Sequence, residues 1–224
     1  MKIKTIISNR IQIAFLWLAL LISLPPIAEE LEHSFEAGVD YQIITKSDSQ
    51  DSVSQDLAQL SELEAISNVE IFYWYGCESC YQVEGAISDY LRLNPELTLK
   101  RTPLVIRPNW RPQAYIQPLM LQLSQMQNLP TSLDVYLQCL TDCDQLKDFD
   151  SIVDWFSGKM PEQTLPLINK DLIWQTEKNY QKRAEIFSIS QVPTIIINET
   201  YKVDANQAQT AKRLVAIIDF LMAK

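Results

Sequence analysis

The sequence predicts an α/β fold with an all-helical segment set into it, and three observations predict this. Val69-Glu70-Ile71-Phe72-Tyr73-Trp74-Tyr75 reads as a strand buried on both faces, followed by a helical stripe and a second extended run, which is a βαβ order. Residues 107–187 are helical in pattern nearly throughout. Sheet signals then return from Thr194 to Val203, ahead of a last amphipathic helix.

The 224 residues, 47% hydrophobic and 21% charged with Gly 4, Pro 11 and Cys 4, suffice for one or two domains with a real core. A disordered tail, a collagen and a cysteine-dense miniprotein are excluded. Lys+Arg 19 against Asp+Glu 28 gives a net charge of -9. An acidic chain without a Lys/Arg-rich run repels phosphate backbones, so nucleic acid is not expected as a partner.

Residues 1–28 read basic, apolar, then small. Lys2, Lys4 and Arg10 precede the apolar run Ile11 to Leu24, and Pro25-Pro26-Ile27-Ala28 follows. This is the pattern of a secretory signal peptide cut after Ala28. Pro26 stands where a small residue is preferred, so an uncleaved anchor is the alternative, although the run is short for a span. Without it the chain carries 16 basic and 28 acidic residues. Export implies an oxidising compartment in which four cysteines can form disulfides. The sole histidine, His33, reads as a solvated tail residue, and one histidine far from the cysteines builds neither a triad nor a zinc cluster.

The elements follow in order. Tyr41 to Ile44 is a short strand, Lys46 to Gln55 a surface loop, and Asp56 to Ile66 a short amphipathic helix with Leu57, Leu60 and Leu63. Gly76 ends the buried strand. The helix opening at Cys77 carries Cys80, Val83, Ile87 and Tyr90/Leu91 and stops at Asn94-Pro95. Leu97 to Ile106 is extended, alternating through Leu97, Leu99 and Arg101, and Pro103 confines it to an edge or an end.

Prolines break the helical segment. Thr131 or Ser132 caps a helix with Leu133, Tyr136/Leu137 and Leu140 on one face. Asp150 and Gly158 bracket a shorter helix holding Ile152, Val153, Trp155 and Phe156. A longer one after Asn169 carries Ile173, Thr176, Tyr180, Ala184 and Phe187. Thr194 to Asn198 and Tyr201 to Val203 form a hairpin turning at Glu199-Thr200, and Asn206 starts a last helix striped by Ala211, Leu214, Val215, Ile218 and Leu221/Met222.

Cys77-Glu78-Ser79-Cys80 lies just after a buried strand and at the first turn of a helix. Unpaired N–H groups and the positive end of the helix dipole there favour the thiolate of Cys77 over the thiol. That thiolate attacks or is attacked in disulfide exchange, and Cys80, one turn further in, resolves the mixed disulfide. A structural pair gains little by closing so short a loop, and a metal site needs more ligands. A Cu(I) carrier gripping the metal through both thiolates is the best chemical competitor. Glu78 and Ser79 tune the couple. A carboxylate beside a thiolate opposes its ionisation unless it points to solvent, so a weaker oxidant is expected than from a dipeptide without an acid.

At these residues the chain resembles the secreted thiol:disulfide oxidoreductases of the DsbA family. Phe35-Glu36-Ala37-Gly38-Val39-Asp40-Tyr41 is similar to the family's N-terminal entry, Glu70 to Tyr81 to its strand and Cys-x-x-Cys, and Val192-Pro193-Thr194-Ile195 to Tyr201 to its Val-Pro and hairpin. The resemblance implies a thioredoxin fold, with residues 29–106 and 188–224 forming the thioredoxin-like domain and 107–187 the inserted helical domain. It implies that Pro193 is cis and sets Val192 beside Cys77, where an extended substrate chain pairs with the backbone. It also implies a periplasmic oxidase of thiol-containing secreted proteins, reoxidised by a quinone-linked membrane partner. Such a protein acts as a monomer and needs no bound cofactor or metal. A reductase or isomerase is the main alternative, and a non-catalytic binding module is a third class.

Three departures stand out. Glu78-Ser79 replaces the Pro-His of the family's common oxidants, so a thiolate-stabilising histidine is missing. The family's buried proton-transfer acid sits six positions before the first cysteine, where this chain has Ile71. Glu70, one position off, is placed on the opposite face, and it joins the residues that tune the couple only if a bulge restores the register. Glu199 stands where the family often has Gly, which implies a different turn.

Other features carry less. Cys139 and Cys143 read as a structural disulfide where a helix ends, with a regulatory or second redox pair as the alternative. Asn198-Glu199-Thr200 fits a glycosylation acceptor by chance spacing. Trp155 and Trp174 are expected in the core. Tyr73, Trp74, Tyr75 and Trp110 belong to the core or edge a peptide groove, and Asp142-Asp144-Asp148 is a solvated face without the glycine of a calcium loop.

Overall fold

The strand that the sequence marks most strongly is paired on both sides within the sheet. The computed structural model describes residues 34–44, 68–160 and 165–224. The signal segment, His33, the 46–55 loop and the 56–66 helix lie outside the described residues. Strand β2 (Val69–Tyr73) is buried along its whole length. It pairs in parallel with β3 (Leu99–Pro103), from Val69 opposite Leu99 to Tyr73 opposite Pro103. On its other side it runs antiparallel to β4 (Thr194–Ile197). β4 continues into β5 (Tyr201–Asp204), and the two-residue β1 (Gln42–Ile43) closes the sheet, in the order β1-β5-β4-β2-β3. Pro103 does end an edge strand.

The unbroken register assigns faces by alternation. Val69, Ile71, Tyr73 and Tyr75 join Ile195, Ile197 and Val203 in the larger core, beneath helices α1 (Glu78–Leu93) and α7 (Ala211–Met222). Phe72, Leu104 and Ile196 face the other way, onto Ala184 and Phe187. Those two lie at the end of α6 (Lys170–Ile186), which Asn169 caps by accepting from Leu172 N.

Between β3 and β4 the chain is helical, as the sequence predicts: a 3-10 turn Pro108–Trp110, α2 (Arg111–Ala114), α3 (Ile116–Gln122), α4 (Ser132–Asp142), a 3-10 turn Cys143–Leu146, α5 (Phe149–Lys159) and α6. The fold is thus a thioredoxin fold with an inserted helical domain. Ile116, Leu119, Tyr136, Ile152, Phe156 and Ile173 from these helices join the larger core, and residues 35–224 form one compact unit.

Local chemistry corrects several expectations. Thr131 caps α4, and Asp134 returns the bond to the Thr131 N–H in a full capping box. The buried face of α4 is Val135, Tyr136 and Cys139, whereas Leu137 and Leu140 are 50% and 39% exposed. Tyr136 sets this orientation because its ring packs on Tyr75, with centroids 4.8 Å apart.

Trp174 is 43% exposed, not core, since the buried stripe of α6 runs through Ile173, Glu177, Tyr180 and Arg183/Ala184. Trp155 is half-buried and donates through Nε1 to Gln138 Oε1 at 3.1 Å. The β4–β5 turn is centred on Asn198-Glu199 rather than Glu199-Thr200. Thr200 N donates to Ile197 O at 3.0 Å, and both central residues have positive φ, +48° and +51°. That sign pattern is type I′, whose twist matches the flanking strands. The last helix starts at Ala211 because Thr210 caps it. Asn206 instead donates its N–H to Asp204 in the preceding turn.

Candidate active site

The first turn of α1 is built by Gly76 and Cys77. Gly76 is required for close approach, because a Cβ there would strike the indole of Trp74, which is stacked on Trp110 with ring centroids 4.3 Å apart. Cys77 N donates to Trp74 O, and Cys77, extended at φ -104° and ψ 114°, is the N-cap of the helix. Its Sγ accepts the amide of Cys80 at 3.1 Å and lies 3.3 Å from Ser79 Oγ. These donors and the helix terminus are what a thiolate at Cys77 needs once the bond is reduced.

Cys77 and Cys80 are joined as a disulfide, with Cα atoms 5.2 Å apart. The two sulfurs differ in access, because Cys77 is half-buried and Cys80 is 0% exposed. Ser79 sits beside Cys77, while Glu78 is exposed, so solvent screens its charge from the sulfur.

The Val192–Pro193 bond is cis, as the resemblance implies. Asn206 links this loop to the helix. Its Nδ2 donates to Val192 O at 3.2 Å, and it lines a shallow pocket together with Ser79, Gln82, Gln209 and Thr210.

Glu70 is not brought to the cysteines. No bulge interrupts β2, so Glu70 pairs with Lys100 and Ile196 on the face opposite Cys80. There it is buried, accepts from Thr102 Oγ1 at 2.5 Å, and is held by Arg183 Nε at 2.9 and 2.7 Å. Burial pushes its carboxyl up, partly offset by Arg183 and Thr102. Arg183 also donates to Glu199 at 2.7 Å, tying α6 to the I′ turn. Lys100, in the same group, is pushed down to about 7 by burial and then by the Arg183 charge.

Sequence reasoning missed what does lie on the face of Cys80. Glu84, buried in α1, accepts from Arg101 Nε and Nη2 at 3.0 and 2.6 Å. Tyr73 donates to Tyr75 at 3.1 Å, and Tyr136 Oη, also buried, has no hydrogen-bond partner among the described residues. The available signal was a carboxylate at the i+4 position from Cys80, inside an otherwise apolar stripe.

Cys139 and Cys143 are also bonded, joining the end of α4 to the following 3-10 turn. Among the described residues, no helix is long and apolar enough to cross a membrane.

No family model matches the chain. It is 23% identical over 168 residues to the thiol:disulfide interchange protein DsbA of Pseudomonas aeruginosa, covering 74% of this chain and 78% of that protein. To the DsbA of Azotobacter vinelandii it is 24% identical over 170 residues, 74% of this chain and 76% of the other.

The crystal structure of Pseudomonas aeruginosa DsbA superposes with a TM-score of 0.60 at 17% identity, over 84% of this chain and 93% of that one. Proteus mirabilis DsbA, crystallised with a non-covalently bound peptide, gives a TM-score of 0.61 at 14% identity, over 85% and 100%. In sequence and in fold, with a Cys-x-x-Cys disulfide at the mouth of its first long helix, this chain is DsbA-like.

Proposed function

We propose that this chain is a periplasmic thiol:disulfide oxidoreductase that oxidises protein thiols through Cys77 and Cys80. The observation that carries the reading is the unequal access of the two sulfurs: Cys77 is reachable at the helix N-cap, and Cys80 is sealed behind it. A substrate thiolate attacks Cys77 Sγ, the Cys77–Cys80 bond breaks, and Cys80 leaves with the electron pair. A second substrate thiolate then attacks the substrate sulfur of the mixed disulfide and releases Cys77 as a thiolate. The substrate gains a disulfide, and the protein is left as the dithiol. One accessible sulfur suits this exchange better than a Cu(I) grip, which takes both.

On this reading residues 1–28 direct export and are removed, and Val192 with Pro193 presents backbone to an extended substrate segment. A DsbA crystallised with a non-covalently bound peptide is among the structural relatives, which supports a polypeptide as the substrate. Glu78 and Ser79 tune the couple. Glu70 contributes to the packing of the sheet rather than to the exchange, and Cys139–Cys143 is a structural bridge that closes α4. The helical insertion over 107–187 forms the second domain. The protein acts as a monomer, and a quinone-linked membrane protein reoxidises it.

The test is to mix the oxidised protein with a reduced, unfolded secreted protein and count disulfides formed. Transfer that is stoichiometric for the native protein and absent from Cys77→Ala is the expected result. Inertness toward both reduced and oxidised substrates overturns the reading. Trapping the redox state in cells fixes the direction, since an oxidase is held oxidised and a reductase or isomerase reduced.

A further inference from the structure

The β4–β5 ladder stops just short of the cis-proline loop, and a side chain continues it. The two strands pair as far as Thr194 opposite Asp204. One residue further on, Ala205 N donates to Pro193 O at 3.1 Å. The next carbonyl back along that chain, Val192 O, accepts from Nδ2 of Asn206 at 3.2 Å. A side-chain carboxamide carries the same N–H donor as a peptide group. Asn206 thus gives Val192 the bond that the backbone of an added strand would give it.

The turn that carries Asn206 is fixed by its backbone. Asn206 N donates to Asp204 Oδ1 at 3.0 Å and Gln207 N to Asp204 O at 3.1 Å, bonds that do not involve the carboxamide. The side chain is exposed, and it lines the shallow pocket shared with Ser79, whose Oγ lies 3.3 Å from Cys77 Sγ. The carboxamide is therefore on the side of the loop that borders the reactive sulfur. A hydrogen bond exposed to solvent is exchanged for another at small net cost, so this one yields to an incoming donor.

We propose, resting on the docking of an extended substrate at Val192, that Asn206 determines specificity by competing with the substrate for the Val192 carbonyl. In the free protein the carboxamide holds Val192 O. An arriving segment displaces it and makes the same bond from a backbone N–H, and Asn206 returns when the product leaves. A cysteine in an unfolded, extended segment brings an N–H that replaces the broken bond. A cysteine whose neighbouring N–H groups are committed to its own helix or sheet brings none. The substrate class selected is thiols of unfolded polypeptide, and the competition also speeds departure of the product once it folds.

The experiment uses the full oxidised protein and a cysteine-containing heptapeptide, together with copies of that peptide N-methylated at one residue at a time. Formation of the mixed disulfide at Cys77 is followed against peptide concentration in the native protein, in Asn206→Ala and in Asn206→Ser, whose side chain is too short to reach Val192 O. The expected result is a half-saturation concentration lowered about 3–10-fold in both variants, with the limiting rate within about 2-fold of native. N-methylation at the residue that pairs with Val192 is expected to abolish that gain. A half-saturation concentration that is unchanged or raised overturns the proposal, and a raised one makes Asn206 a support of the loop instead. A gain that survives N-methylation at every residue overturns it too, since the gain then comes from a wider pocket. A native protein indifferent to N-methylation throughout overturns docking at Val192, and one that forms no mixed disulfide overturns the exchange reading itself.

Discussion

Arg183 holds Glu70 through two hydrogen bonds from one nitrogen, Nε, at 2.9 and 2.7 Å, across 113 positions of sequence. Both groups are buried, and their partnership fastens α6 to the strand that leads into the Cys-x-x-Cys turn. Removing one member of a buried pair strands the other. Glu70→Ala is therefore expected to cost about 3–5 kcal/mol, while the double variant Glu70→Leu/Arg183→Met recovers much of the loss. Urea denaturation of the two variants checks this; equal losses in both would show that the pair is not coupled.

Lys100 gives a pH signature. Its amine is pushed down to about 7 in the folded protein. From there up to the ordinary lysine value of about 10.4, the unfolded chain binds more protons than the folded one, so stability from this group rises with pH across that window. Lys100→Met is expected to be more stable than the native protein at about pH 6, with the advantage shrinking toward about pH 10. Denaturation midpoints at both pH values decide, and a constant difference contradicts the assignment.

Gly76→Ala brings a methyl group into the Trp74 indole. The ring must leave its stack on Trp110, so the tryptophan emission changes and stability falls by about 1–3 kcal/mol. Unaltered emission with native stability would show that the turn relaxes without moving the indole.

Tyr136 buries a hydroxyl with no hydrogen-bond partner among the described residues. Tyr136→Phe removes that unpaired group while keeping the ring on Tyr75, and is expected to leave stability unchanged or raise it by about 1 kcal/mol. A loss larger than that, read from denaturant curves, would mean that the hydroxyl finds a partner in solution.

Glu78 is exposed, so its charge acts on Cys77 through solvent. Glu78→Gln is expected to shift the equilibrium with glutathione by less than about 3-fold, and the shift should shrink further in high salt. A larger, salt-insensitive change would place the carboxylate against the sulfur.

Much of this arrangement was legible in the residues. The run Val69 to Tyr75 announced a doubly buried strand, Pro103 an edge, and the Cys-x-x-Cys its place at a helix mouth, because each rests on local sterics and capping. Where several caps or stripes compete, local pattern alone does not choose between them. Leu137 and Leu140 fit a core stripe by spacing, but the packing of Tyr136 on Tyr75 turns Val135 and Cys139 inward instead, and Thr210 rather than Asn206 caps the last helix.

The sequence by itself determined the order of strands and helices and the reactive cysteine pair, since these rest on local pattern, whereas a bulge that could turn Glu70 toward that pair was excluded only by the regular pairing of β2 with its two neighbours. Only the tertiary structure decided that Glu84 meets Arg101 on the face of Cys80, and that Arg183 meets Glu70 behind it. Those partners are 17 and 113 residues apart, and the low dielectric in which they act exists only once helix and sheet have closed over them.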